Sequence, residues 1–260
     1  MTSNRPGGTV PAGYEKVCPA PGLTMLVAPG LDGGALASRI LNPGSGTRAP
    51  GQARYFGRAE LHAVELADGG RALVRSCRHG GLLRHVTRDW FVSRPLRPFV
   101  ELAVTVLARE RGVPAPEVLA ALVARGIGPW YRGWLVTREI EGARNLWAAL
   151  LEGVDGDGKR ALLRQVGHSL RLMHTSGIDH ADLNLRNILV LDGAPGPEIF
   201  IIDFDKARLF KGTVPAARAR RNLQRLRRSV DKLDRGHVRV RPQDWDALVG
   251  AYETPLTNRR

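Results

Sequence analysis

The stretch that most restricts how this chain can fold is "IDHADLNLRNILVLDG", residues 178–193, taken with "IFIIDFDKARLF", residues 199–210. In each, polar side chains sit against an apolar run. His180, Asp182, Asn184, Arg186 and Asn187 lead into Ile188–Leu191, and Ile199–Ile202 leads into Asp203 and Asp205. Short apolar runs bounded by turn residues read as buried strands, and the "DGAPGPE" between them is a turn signal. Pairing the two strands through that turn places Asp182, Asn187 and Asp203 where they converge. The plainer account is a polar hairpin whose Asp and Asn residues merely cap turns.

Converging carboxylates and an amide suit phosphoryl transfer. That reaction needs one carboxylate to orient the attacking hydroxyl and accept its proton, and oxygen ligands to hold magnesium against a triphosphate. Asp182 fits the first task; Asn187 and Asp203 fit the second. The spacing His-x-Asp-Leu-x-x-x-Asn at 180–187, then a strand, a hairpin and Ile-Asp-Phe-Asp at 202–205, is the layout of a protein-kinase-like catalytic loop and metal turn. His180 reads as a structural tie between the two and not as a proton carrier. Asn184 and Arg186 sit at positions of the loop suited to contact acceptor or phosphates.

The surrounding sequence supplies matching elements. Leu61–Leu66 and Arg71–Ser76 read as strands joined by the hairpin signal "ADGG". "SRPLRPFVELAVTVLARERGV" reads as a helix with Phe99, Leu102, Val106 and Leu107 on one face and Gly112 as its stop. Tyr131–Ile140 is strand-like, and Asn145 is placed to cap the helix that follows. After a loop punctuated by Gly156 and Gly158, "KRALLRQVGHSLRLMHTSG" is amphipathic and ends at Gly177. The helix at 216–235 carries an apolar stripe, Leu223, Leu226, Val230 and Leu233, between basic faces, and "PQDWDALVGAY" is a last amphipathic piece. The predicted fold is α+β and two-lobed. A Gly/Pro-rich, partly flexible segment (1–50) precedes an N-lobe with a small sheet and one helix (51–138) and a mainly helical C-lobe (139–260), with ATP between the lobes and adenine near residues 138–141.

The N-terminal strands should then contact the nucleotide, and here the chain departs from the usual pattern. A glycine-rich phosphate loop before Leu61 is reduced to "FGRAE", with Gly57 its single glycine, and no lysine occurs between residues 17 and 158. Arg75 in "ALVRS" is the basic residue placed for the α- and β-phosphates, since a guanidinium grips phosphate in a bidentate way. Glu101 on the next helix is its expected carboxylate partner. The bland account of these two is a surface salt bridge, and the eroded loop keeps a nucleotide-binding pseudokinase open.

Charge asks for an anionic partner. Lys plus Arg number 39 against 25 Asp plus Glu, a formal +14, and only five of those cations are lysine. Nucleic acid, a phosphorylated small molecule and an anionic membrane surface all answer that description. Zinc-ligand spacing and an RNA-binding aromatic signature are both missing, so no specific nucleic-acid partner is expected. Two cysteines, Cys18 and Cys77, make neither a disulfide framework nor a metal cluster and fit a reducing cytosol. No apolar run is long enough for a signal-peptide core or a membrane span.

Ala181 stands where regulated protein kinases carry an arginine, Asp205 replaces the glycine of their metal turn, and no Ala-Pro-Glu follows. Instead the chain resembles the lipopolysaccharide-core kinases, those acting on 3-deoxy-D-manno-octulosonic acid (Kdo) above all. The resemblance rests on "RHGGLL" (78–83), "SRPLRPFVELAVTVLARERGVPAPEV" (93–118), "HADLNLRNILV" (180–190), "IIDFDKARL" (201–209) and "NLQRLRRSVDK" (222–232), and spans about Arg54 to Leu233. It implies ATP- and Mg²⁺-dependent phosphorylation of the 4-hydroxyl of Kdo on a lipid A precursor, an anionic glycolipid, by a cytoplasmic enzyme peripheral to the inner face of the bacterial inner membrane. The acceptor's phosphates and carboxylate give the arginines a use, and Arg78, His79 and His85 resemble the family's basic Gly-Gly segment. Heptose or another sugar as acceptor is the nearest alternative.

Overall fold

The computed structural model describes residues 10–42, 61–77, 89–93, 95–153 and 156–255. They divide into two compact units, one drawn from the chain up to Leu107 with Pro116–Glu139, the other from Ala108–Ala115 with Ile140 onward.

The first unit is built on one antiparallel sheet of β1 (Glu15–Val17), β2 (Leu23–Val27), β3 (Leu61–Glu65), β4 (Arg71–Ser76), β5 (Val118–Arg125) and β6 (Tyr131–Arg138), in the order β1-β2-β5-β6-β4-β3. Both faces of its middle are buried. Met25, Val27, Ala120, Leu122, Trp134 and Val136 pack with Leu36, Ala37 and Ile40 of α1 (Gly33–Leu41). Their neighbours Leu26, Ala121 and Leu135 point the other way, onto Leu102 of α2 (Arg97–Glu110), as the two-residue period of a strand requires. Burial on both faces makes "VLAALVAR" a continuous apolar run without alternation, which is why β5 is absent from the sequence reading. Within the Gly/Pro-rich N-terminal segment, β1, β2 and α1 are ordered. Asp32 caps α1, its carboxylate accepting from Gly34 N (2.8 Å) and Ala35 N (3.0 Å).

The second unit is mainly helical: the short strand β7 (Arg144–Asn145) leads into α3 (Leu146–Leu151), and α4 (Gly156–Thr175), α5 (Ala216–Leu233) and α6 (Pro242–Glu253) follow. Asn145 caps α3, accepting from Ala148 N at 2.9 Å. α4 starts at Gly156, so Gly158 lies inside the helix and not in the loop expected from the sequence. It crosses α6 so closely at Gly167 that an added Cβ would sit 2.3 Å from Leu248 O. Lys159 and Asp244 form a buried ion pair between these helices at 3.0 Å, with Lys159 Nζ also donating to Arg239 O. α4 ends where Gly177 turns left-handed (φ 79°), against Phe210 O and Gly212 O.

Candidate active site

Four short strands of the second unit fix the two loops that carry the predicted chemistry. Residues 180–187 lie between β8 (Ile178–Asp179) and β9 (Ile188–Leu191), and residues 202–207 between β10 (Glu198–Ile201) and β11 (Arg208–Leu209). β9 pairs with β10 and β8 pairs with β11. Both loops are therefore clamped at each end by the same partner, with Ile188 opposite Ile201 and Asp179 opposite Arg208.

Direct bonds complete the closure. Ile202 N donates to Asn187 O at 3.0 Å, and His180 Nε2 donates to Ile202 O at 2.8 Å. With its proton on Nε2, the His180 ring accepts at Nδ1 from Asp182 N (3.3 Å). Complete burial pushes the His180 pKa down, so a neutral ring is the form that this pattern needs. The carbonyl of Asp182 accepts from the side-chain amides of Asn184 (2.9 Å) and Asn187 (3.0 Å). Its carboxylate, half-exposed, accepts from Lys206 Nζ at 2.8 Å. The backbone is left-handed at Ala181 (φ 61°) and Asp203 (φ 67°), a conformation that disfavours any residue with a Cβ. Such strain persists only where the surroundings hold it, and here the two ladders and the His180 bridge do so.

The basic helix α5 turns out to be the support of the catalytic loop. Asn222, with no exposed surface, accepts from Ala181 N at 3.2 Å and donates to the Asp179 carboxylate. Arg218 pairs with the same carboxylate at 3.2 Å, and Ser229 Oγ accepts from Leu185 N at 3.2 Å. Neither Lys206 nor Asn222 was among the residues singled out from the sequence. Asn222 lies one helical turn before Leu226 and about two before Val230 on the buried stripe, and a polar residue in that register is the signal that marks it.

In the first unit Arg75 of β4 and Glu101 of α2 form the expected ion pair. Glu101 is 2% exposed and the Arg75 side chain 18% exposed, so this is a largely desolvated pair and not a surface one. Thus Asp182, Asn187 and Asp203 are brought to one place within one unit, and Arg75 and Glu101 to each other within the other. Gly57 and the basic residues Arg78, His79 and His85 lie outside the described residues.

Asn187 and Asp203 offer hard oxygen donors of the kind magnesium takes when it keeps water and phosphate oxygens in its remaining positions. Among the described residues no group of three or more His, Cys, Asp or Glu is arranged to hold a metal by itself. Two oxygen donors, Asn187 and Asp203, fit a cation whose other positions are filled by water and phosphate oxygens.

Comparison with known proteins places this geometry. The model of the lipopolysaccharide kinase (Kdo/WaaP) family matches residues 52–252. The chain belongs to the Kdo/WaaP lipopolysaccharide kinase family. It is 35% identical over 203 residues to 3-deoxy-D-manno-octulosonic acid kinase of Xylella fastidiosa (strain M12), covering 76% of each chain. It is 30% identical over 203 residues to the enzyme of the same name from Haemophilus influenzae (strain PittEE), covering 75% of this chain and 82% of that one. Among solved structures it resembles WaaP in complex with acyl carrier protein (TM-score 0.53, 20% identity, 84% of this chain and 87% of that chain). It also resembles the Rio2 kinase–ADP/Mg²⁺–phosphoaspartate complex from Chaetomium thermophilum (TM-score 0.50, 17% identity, 92% and 80%). The α+β, protein-kinase-like fold expected from the sequence is the observed one, and a Kdo/WaaP family member of this fold is a phosphotransferase of lipopolysaccharide core biosynthesis. Among the described residues no helix is long and apolar enough to cross a membrane.

Proposed function

We propose that this kinase transfers the γ-phosphoryl group of ATP to the 4-hydroxyl of Kdo on a lipid A precursor. The observation that carries the reading is the double clamp. β8–β11 and β9–β10 hold Asp182 beside the Asn187–Asp203 turn, with Lys206 on the Asp182 carboxylate. Identity with the Kdo kinases of Xylella and Haemophilus directs the choice of acceptor.

In this reading Asp182 accepts hydrogen-bond donation from the acceptor hydroxyl and takes its proton as the oxygen attacks phosphorus. Its backbone is fixed by two amide side chains and the His180 ring, which sets where the side chain leaves the loop. Asn187 has its amide nitrogen committed to the Asp182 carbonyl, which leaves the amide oxygen for Mg²⁺; Asp203 supplies the second oxygen. The cation, when bound, neutralises charge on the phosphate oxygens. Lys206 places an ammonium next to the base, where the transferring phosphoryl group must pass, and offsets charge that spreads over its equatorial oxygens. Arg75, steadied by Glu101, takes the α- and β-phosphates in place of a lysine. The acceptor is an amphiphile with anionic head groups, so the enzyme works against an anionic membrane surface on the cytoplasmic side.

The test is incubation of the full chain with MgATP and a Kdo-bearing lipid A precursor, followed by mass spectrometry and fragmentation of the product. One added phosphate on the Kdo 4-oxygen is expected. Phosphate on a heptose-bearing acceptor only, or ATP binding without transfer to either, overturns the assignment.

A further inference from the structure

Seven large hydrophobic side chains are exposed among the described residues, and four of them, Trp90, Val92, Ile127 and Trp130, are gathered at one corner of the six-stranded sheet; Val10, Leu151 and Val238 lie elsewhere in the sequence. Residues 126–130 turn the chain from β5 to β6, with Gly126 N donating to Trp130 O at 2.8 Å. The segment around Phe91 is tied to this hairpin by reciprocal backbone bonds between Phe91 and Tyr131, 2.7 and 2.9 Å long. Phe91 and Tyr131 point inward and are buried, so extended-chain alternation turns Trp90, Val92 and Trp130 outward. The Trp90 ring lies across Gly126, where an added Cβ would fall 2.2 Å from it. Ile127, the next residue, is 94% exposed at the tip. Held in place by the Phe91–Tyr131 bridge, Val92 and Ile127 face solvent, and Trp90 and Trp130 each leave more than a third of their surface exposed beside them, which is the mark of a contact surface.

The chemistry of the corner names what it meets. Two tryptophans flank an aliphatic tip. Arg125 is exposed beside it, and the Arg132 guanidinium lies 5.9 Å from the Trp90 ring and pairs with Asp89. In sequence the Trp90 segment is flanked by Arg84, Arg88, Arg94 and Arg97 against the single acidic residue Asp89. Tryptophan prefers head-group depth, an aliphatic tip goes to the acyl boundary, and arginine reaches lipid phosphates from there. A protein partner would have to supply a recess shaped to Ile127, whereas a bilayer accepts a convex tip of any shape.

We propose that the β5–β6 hairpin tip and the Trp90–Val92 segment form a membrane-docking corner that inserts Ile127 into an anionic lipid surface. The corner shares no residue with the catalytic loop, so it stands on its own geometry. It deepens the proposed function by naming where the chain meets the surface that holds an amphiphilic acceptor.

The experiment is sedimentation of the full chain with phosphatidylglycerol/phosphatidylethanolamine vesicles and with phosphatidylcholine vesicles, for the wild type, Ile127→Asp and Val92→Asp. The wild type is expected to sediment with the anionic vesicles, and each variant to weaken that association about tenfold or more. Both variants should keep the wild-type unfolding midpoint and wild-type turnover on a deacylated, water-soluble acceptor. That readout separates failure of docking from failure of the kinase reading. Three results overturn the proposal: a wild type that ignores phosphatidylglycerol vesicles, variants that bind them as the wild type does, or a wild-type dimer that Ile127→Asp splits, which would make a second copy the occupant.

Discussion

At the scale of single residues, the pair of Asp182 and Lys206 separates chemistry from stability. Both side chains are about half exposed, so the ion pair adds little to folding. Asp182→Ala should leave the unfolding midpoint and the magnesium-dependent stabilisation by an ATP analogue in place while cutting kcat by about a thousandfold or more. Near-normal turnover in that variant would sink the mechanism. Lys206→Ala should also leave stability unchanged, and lower kcat by about a hundredfold with little change in the KM for acceptor, because the interaction forms with the transferring group. Lys206→Arg should restore only part of that loss, since a planar guanidinium does not reproduce a compact ammonium. Equal losses in kcat and in folding for Lys206→Ala would mark it as a structural residue instead. The convergence of Asp182, Asn187 and Asp203 was legible in the sequence because their spacing is fixed by the strands between them. Lys206 was not, because a lysine after a metal turn has no spacing rule of its own and only the 2.8 Å contact reveals it.

At the scale of elements, α5 shows how charge can mislead. Its arginines draw attention to the solvent side, yet of them Arg218 reaches the Asp179 carboxylate, and the loop itself is held by the uncharged Asn222 and Ser229. Asn222→Ala leaves the Ala181 N–H without its acceptor and removes one donor from the buried Asp179, at a cost of about 2 kcal/mol measured by urea unfolding. It should also lower kcat, since the left-handed Ala181 loses its support. Replacing exposed Arg220 and Arg221 on the same helix by Ala should change stability by no more than about 0.5 kcal/mol. The amphipathic helices α4, α5 and α6 were legible because one face is wet, and a wet face leaves a periodic pattern; the hairpins β3–β4 and β9–β10 were legible because "ADGG" and "DGAPGPE" mark the turns between their strands. β5 was not, because both of its faces are buried. β1, β2 and α1 were hidden for another reason: short elements between Gly/Pro-rich stretches carry little period, and their order comes from pairing β2 to β5.

At the scale of the whole molecule, the buried histidines tie stability to pH. His174 is 1% exposed, its Nδ1 bonded to Tyr252 Oη at 2.9 Å, and burial lowers its pKa to about 4, against an attraction from Asp179 that works the other way. His180 is shifted in the same direction by complete burial. In the unfolded chain both rings protonate near pH 6.5. Below that pH the unfolded state binds protons that the folded state refuses, so stability falls with pH through the interval from about 6.5 to about 4 for His174, and levels off once the folded ring also protonates. Above pH 6.5 neither state gains an advantage from these rings. His174 alone accounts for about 3 kcal/mol over the full interval. The urea midpoint should therefore drop between pH 7 and pH 5 in the wild type. His174→Gln, which keeps a polar partner for Tyr252 but cannot titrate, should show a clearly shallower slope over the same interval, whatever its stability at pH 7. Parallel slopes for the two proteins would show that His174 takes up its proton as readily folded as unfolded, and would remove the burial argument.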